Sequence, residues 1–189
     1  PEIETVVRRA VDDLRAALVR DPSLERFLGA VVRRADALAV LRDDEPGANL
    51  RMDVHGEVLK VPPCVLELRR DLFAAAIAHE LAHLADHLEV ARRLGADPAA
   101  LALAEDELPE SERGALRRVS EARAFRVELH AARALGIELP TATDGAPARA
   151  RATPTRCYLD DDRLLGLLSF VATEPDDATL EAGTTSPAP

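Results

Sequence analysis

The feature that most constrains this chain is the run HELAH at positions 79–83, which lies inside a long helix-forming segment. No proline or glycine interrupts residues 72–94, and Gly95 then supplies a C-terminal stop. Residues four apart lie on one face of an α-helix, so both imidazoles can bind a single metal ion. Glu80 points toward the same open coordination position. This pattern is typical of a zinc site that activates water for hydrolysis.

The HExxH spacing is a specific signal in this chain. With five histidines in 189 residues, the motif is expected by chance only roughly 0.01 times. Apolar side chains recur along one side of the segment, and small alanines near the histidines allow another element to approach closely. The sequence therefore predicts that this helix lies at the centre of the fold.

A zinc site with two histidines needs a third protein ligand, and there are three candidates. His87 continues the four-residue series, but it lies ~12 Å along the helix axis from His79, too far for one ion. Asp86 would have to reach past both histidines, so its expected role is a hydrogen bond to a ligand imidazole or to nearby backbone. Glu121 lies 38 residues after His83, in a second helical stretch. It is the predicted third ligand.

Glu121 has a competitor on its own helix. Glu128 lies two turns later on nearly the same face, and the Arg117-Arg118 pair offers an ion-pair partner to either carboxylate. Glycine and prolines in the preceding insert let the chain turn back and set this helix beside the first. Two imidazoles and one carboxylate also accept manganese, iron or cobalt, but the HExxH context favours Zn²⁺.

These residues resemble the zincin metallopeptidases, and within them the gluzincins, whose third ligand is a glutamate. The matching residues are HELAH at 79–83, Asp86, and Glu121 followed by Ala124 and Phe125. The resemblance covers roughly a third of the chain, and HExxH is its specific part. The later histidine and glycine of the metzincin pattern are absent. The resemblance therefore indicates the gluzincin branch without selecting one peptidase family.

The resemblance implies a small sheet packed on the HExxH helix, with an extended peptide substrate lying along the outermost strand. It also implies that His79, His83 and Glu121 bind zinc. The metal would lower the pKa of its bound water toward ~7, while Glu80 accepts the proton as general base and passes it to the leaving amine. Such sites usually include an oxyanion donor. Three side chains are open candidates for this donor: Tyr158, His130 and His55.

Composition favours a single, mostly helical domain. With 47% hydrophobic and only 3% aromatic residues, the chain can bury one core built of Leu, Val and Ala. The formal charge of -10 argues against nucleic acid or an anionic membrane as partner. No segment is apolar and long enough to cross a bilayer, and the N-terminal residues are too charged for a secretory signal. We therefore expect a cytoplasmic location.

The predicted fold class is α+β, predominantly helical and zincin-like, with a central HExxH helix and a small sheet or hairpin. The hairpin or strand pair is expected about His55-Gly56. Besides the HExxH helix, helices are expected at residues 2–19, 22–41, 98–106, 111–135 and 164–171.

One domain is predicted to span residues 1–172, with a loop at 140–155 and a disordered tail at 173–189. The two cysteines, Cys64 and Cys157, lack metal-binding spacing. They either form a disulfide or stay reduced, and a free, buried thiol is the default expectation.

The expected function is hydrolysis of a peptide or protein substrate by a zinc metallopeptidase. A hydrolase acting on a non-peptide amide is a related alternative. The alternative from another class is a catalytically inactive, zincin-like binding or regulatory module. In that module zinc is structural or absent, and the cleft holds a partner peptide without cutting it.

Overall fold

Helices make up most of the chain that the structure describes. The structure is a computed structural model, and it describes residues 3–55, 57–140 and 161–173. The α-helices within these ranges are α1 (Ile3–Leu18), α2 (Pro22–Arg34), α3 (Arg70–Leu94), α4 (Pro98–Asp106), α5 (Glu110–Ala134) and α6 (Asp161–Val171). Short 3₁₀ helices, Ala35–Ala37 and Pro63–Glu67, lead into the sheet and into α3. The predominantly helical α+β class is therefore confirmed.

A small mixed sheet lies between α2 and α3 in the chain, with strand order β1-β3-β2. Strand β1 (Ala39–Arg42) runs parallel to β3 (Val58–Val61), and β2 (Arg51–Asp53) runs antiparallel to β3. The β2–β3 pair confirms the strand pair predicted about His55. Leu59 and Val61 are buried, so one face of the central strand packs on the core. Strand β2 is an edge strand.

Strand β1 corrects the prediction of one long helix through residue 41. Helix α2 ends at Arg34, and a 3₁₀ turn leads from it into the strand. The Ala- and Leu-rich sequence here favours helix locally. In the structure Val40 lies opposite Leu59 in the parallel ladder, so backbone pairing with β3 overrides the local propensity.

The other helix boundaries lie within a few residues of the predicted ones, because the start and stop signals are local. The Asp21 side chain accepts hydrogen bonds from the backbone N–H groups of Ser23 and Leu24, at 2.9 and 3.1 Å, and so caps α2. Helix α3 ends at Gly95, whose φ of 62° is a left-handed conformation that glycine adopts without strain.

Helix α3 is the centre of the fold, as predicted. Every residue from 72 to 82 is buried, because α1, α2 and α5 all pack against this helix. A helix enclosed on nearly all sides cannot show one clean apolar stripe. The largest fully buried apolar side chains of the core are Leu14, Leu24, Leu28, Leu59, Leu72, Ile77, Leu81, Leu84, Leu129, Leu164 and Leu168.

Several predictions fall partly or wholly outside the described residues. The predicted loop lies there from residue 141 onward, the tail from residue 174 onward, and Tyr158 and Cys157 lie there as well. Cys64 is disulfide-bonded, so the default expectation of a free thiol is wrong at this position. Within the described ranges, none of the helices has the length and apolar character needed to cross a membrane.

Candidate metal centre

Helices α3 and α5 lie antiparallel, and this arrangement brings the HExxH motif against α5. His79 meets Glu128 in the C-terminal half of α5, whereas His83, one turn later on α3, meets Ser120 nearer the start of α5. Helix α4 and its flanking turns reverse the chain between them. The insert therefore has the role that its glycine and prolines predicted.

His79, His83 and Glu121 form a cluster that could hold one metal ion. One potential ligand atom from each residue lies within 4.8 Å of the others. Nε2 of His79 is 3.5 Å from Oε2 of Glu121, and Nε2 of His83 is 3.7 Å from Oε1 of the same carboxylate. Atoms bound about 2.1 Å from one tetrahedral zinc ion lie about 3.4 Å apart. Each imidazole therefore lies at about this spacing from one of the two Glu121 oxygens, His79 from Oε2 and His83 from Oε1.

The second nitrogen of each imidazole is held by a side chain of α5. Nδ1 of His79 lies 3.0 Å from Oε2 of Glu128, and Nδ1 of His83 lies 2.8 Å from Oγ of Ser120. Because a carboxylate only accepts, Nδ1 of His79 donates its hydrogen to Glu128, and a metal ion at the cluster would take the lone pair of Nε2. Metal-binding histidines are held in this way, through the nitrogen that does not bind the ion.

The cluster runs from the protein surface into the core. The side chain of Glu121 is 43% exposed and that of His83 is 20% exposed, whereas His79 is only 1% exposed. The ring of Phe125 packs edge-on against His79, with 4.9 Å between ring centroids. The site is therefore reached from the side of Glu121 and His83, and His79 forms its buried floor.

The electrostatics of the cluster favour a positive charge. Burial lowers the pKa of His79, but hydrogen bonds to Glu121 and Glu128, together with the nearby charges of Glu128 and Glu80, raise it to about 9. A proton on His79 balances these carboxylates in the metal-free protein. A divalent cation bound between the same groups would balance the charge of these carboxylates in place of the proton.

Glu80 joins the HExxH helix to the edge of the sheet. Its Oε2 accepts a hydrogen bond of 2.9 Å from the backbone N–H of Met52 in β2. Glu80 itself is only 5% exposed. The bond places the edge strand next to the candidate general base.

Asp86 and His87, the other two candidates for the third ligand, form their described hydrogen bonds outside the cluster. The Arg123 guanidinium donates to Asp86 at 2.7 Å, so the expected bond from Asp86 to a ligand imidazole or to backbone is wrong. Burial raises the pKa of Asp86, although Arg123 counteracts the shift. His87 is buried, and its Nε2 lies 2.8 Å from the Pro98 carbonyl oxygen.

Among the described residues, none of the remaining candidates belongs to the group of three that could hold a metal ion. Glu128 contacts Nδ1 of His79, the ring nitrogen that faces away from Glu121. It therefore orients the imidazole without offering a ligand atom to the cluster. Arg117 pairs with Glu110 at 3.9 Å instead of with a site carboxylate. Among the possible oxyanion donors, His130 Nδ1 lies 2.9 Å from Asp21 Oδ2, and His55 Nε2 lies 3.4 Å from Asp106 Oδ2.

Sequence reasoning missed Ser120 and the backbone of Met52. Ser120 directly precedes the predicted ligand Glu121, but neighbouring residues of a helix do not face each other, so the sequence alone does not place its hydroxyl at His83. No sequence signal identifies the Met52 N–H, since every residue except proline carries a backbone donor. Only the packing of β2 on α3 selects it.

Comparisons with known proteins assign no family to this chain. No protein-family profile matches it, and no curated protein or solved structure is significantly similar to it. The class of protein is therefore defined by its fold and its site. It is a mostly helical α+β protein with a His/His/Glu cluster between two antiparallel helices.

Proposed function

We propose that the chain is a zinc metallopeptidase similar to the gluzincins, with His79, His83 and Glu121 as metal ligands. One observation carries this proposal. The Nε2 atoms of both histidines lie 3.5 and 3.7 Å from the Glu121 carboxylate, while both Nδ1 atoms are held by α5. Two imidazoles and one carboxylate fit zinc and leave a fourth position open for water or substrate.

A bound zinc ion would polarise the attacking water and the scissile carbonyl. Glu80 follows His79 directly in the chain and accepts a proton from the water as the new C–O bond forms. It then delivers that proton to the amide nitrogen as the C–N bond breaks. The hydrogen bond from the Met52 N–H holds one Glu80 oxygen in a fixed place, so the base is preorganised.

An extended peptide is the proposed substrate class. Strand β2 lies at the edge of the sheet and contacts Glu80 through Met52. An edge strand can pair with an added peptide strand through backbone hydrogen bonds. Such pairing would bring the peptide backbone alongside the general base.

The second candidate is a zincin-like binding or regulatory module, and the contact between Glu80 and Met52 favours it. The hydrogen bond holds the Glu80 carboxylate against the sheet, where it also serves as a structural tie between α3 and β2. In this case zinc would be structural, and the peptide would bind without being cut.

Peptide-library cleavage by the zinc-loaded wild type and Glu80→Gln tests the two candidates, with zinc content measured in both. The peptidase proposal expects equal zinc content and cleavage by the wild type alone. Zinc binding with no cleavage by the wild type would instead favour the binding module. Glu89→Gln is the matched control, because Glu89 lies on the same helix in an exposed contact with Arg92 and Arg93.

A further inference from the structure

Glu128 is a fully buried carboxylate with one described hydrogen-bond partner. Its side chain is 0% exposed, and Oε2 lies 3.0 Å from Nδ1 of His79. The other oxygen, Oε1, is buried and has no hydrogen-bond partner among the described residues. A buried charge with so few partners is costly for folding. Among the described residues, the Glu128 carboxylate therefore interacts with one imidazole, that of His79.

The second imidazole has a different kind of support. Nδ1 of His83 lies 2.8 Å from the hydroxyl of Ser120, a neutral group, and His83 is partly exposed. Hydrogen bonds to an ionised partner are roughly twice as strong as neutral ones, and a low dielectric strengthens them further. The two histidines of the motif are thus held with unequal strength.

Among the described residues, helix α5 supplies three side chains that contact this pair of imidazoles: Glu121, Glu128 and Ser120. Glu121 and Glu128 lie seven residues apart and so share one face of α5, and Ser120 lies next to Glu121. A single helix therefore carries the proposed third ligand together with both supports. The position of α5 along α3 fixes all three contacts at once.

We propose that Glu128 is the positioning residue that sets the metal affinity of the site through His79, whereas Ser120 only orients His83. The inference rests on the proposed function, since it needs a metal at the cluster. The buried carboxylate fixes the tautomer of His79 and makes its Nε2 a stronger donor to a cation. Ser120 fixes the angle of the other ring without adding charge.

Zinc affinity, measured on the full chain by competition with a chromophoric chelator, tests this inference. Glu128→Gln keeps the shape of the side chain and removes its charge, and it should weaken zinc binding about 10- to 100-fold. Ser120→Ala should weaken binding by less than about tenfold. Glu89→Gln, an exposed charge change on α3, should leave the affinity unchanged.

Two further measurements separate positioning from a general structural role. Cobalt(II) should give the same tetrahedral absorption bands in Glu128→Gln as in the wild type, because the three ligands are intact. Glu128→Asp restores the charge on a shorter side chain and should recover part of the affinity. Thermal unfolding of the metal-free variants identifies any loss of affinity that comes only from loss of folding.

The possible outcomes distinguish a failure of the inference about Glu128 from a failure of the proposed function. Equal zinc affinity in wild type and Glu128→Gln would overturn the inference and leave the metal site intact. Absence of zinc binding in the wild type would overturn the proposed function itself. If Glu128→Gln does not fold, Glu128→Asp decides, because an affinity equal to that of the wild type would contradict a role that depends on placing the carboxylate at His79.

Discussion

The Glu80 carboxylate and the backbone N–H of Met52 form a hydrogen bond of 2.9 Å that joins the HExxH helix to the edge strand. Glu80 is buried and Met52 is half-buried, so this contact is partly shielded from water. The bond gives the proposed general base a fixed position. It also makes the base part of the contact between α3 and β2.

Substitution of Glu80 separates chemistry from folding. In Glu80→Gln the amide oxygen can still accept the hydrogen bond from Met52, so the protein should fold and bind zinc as the wild type does. Peptide hydrolysis should fall by about 10²- to 10⁴-fold, because glutamine cannot accept the proton from water. Initial cleavage rates together with zinc content test this. Undiminished cleavage by the variant would rule out Glu80 as the base.

The raised pKa of His79 makes the stability of the metal-free protein depend on pH. Its pKa rises from 6.5 to about 9 on folding, so the protonated ring favours the folded state. This contribution is complete below pH 6.5 and is lost as the pH rises through about 9. We expect the free energy of unfolding to fall by up to ~3 kcal/mol over that window.

Urea unfolding at a series of pH values, with a chelator present, measures this dependence. In Glu128→Gln the decline should be smaller, since one of the groups that raise the pKa of His79 is gone. A stability that stays flat between pH 6.5 and 9 in the wild type would contradict the electrostatic account of the site.

The ion pair between Asp86 and Arg123 should contribute to stability because both side chains are largely buried. The guanidinium lies 2.7 Å from Asp86 and also 5.5 Å from the centre of the Phe27 ring. Arg123→Met leaves the partly buried carboxylate without its partner and should cost about 1–3 kcal/mol in free energy of unfolding.

A double-mutant cycle with Asp86→Asn measures the coupling between these two side chains. Arg92→Met is the control, because Arg92 pairs with Glu89 at the surface and its loss should change stability by less than about 0.5 kcal/mol. Equal effects of Arg123→Met and Arg92→Met would show that the partly buried pair contributes no more to stability than an exposed one.

Two glycines should respond to alanine with opposite signs. Gly95 has a φ of 62°, so Gly95→Ala should destabilise the C-terminus of α3 by about 1 kcal/mol. Gly114 lies within α5, and a Cβ there would meet Arg118 at an ordinary distance of 3.6 Å. Gly114→Ala should therefore stabilise the protein by about 0.5–1 kcal/mol. Thermal unfolding of both variants compares the signs directly, and destabilisation by both would contradict the description of α5.

The parts of the fold with local signals were predictable from sequence. Asp21-Pro22 marks the start of α2 and Gly95 the end of α3, because capping depends on a few neighbouring residues. The His79 and His83 pair follows from the helical repeat alone. Placing Glu121 beside that pair also required the later helix to turn back onto α3.

The parts that depend on distant contacts were not predictable. The sequence of β1 favours helix, and only its pairing with β3 makes it a strand. Asp86 was expected to form a hydrogen bond to a ligand imidazole or to nearby backbone. In the structure, Arg123 of the facing helix α5 donates to it instead. The roles of Ser120 and of the Met52 N–H likewise depend on how α5 and β2 pack against α3.

Metal content tests the central claim most directly. Elemental analysis would be made on wild type, Glu121→Ala and Glu110→Ala, purified without added metal and again after zinc is supplied. We predict about one zinc per chain in the wild type and in Glu110→Ala, whose substituted carboxylate lies at the exposed start of the same helix. Glu121→Ala should lose the zinc or hold it much more weakly. Absence of metal from the wild type even after zinc is supplied would contradict the proposed site.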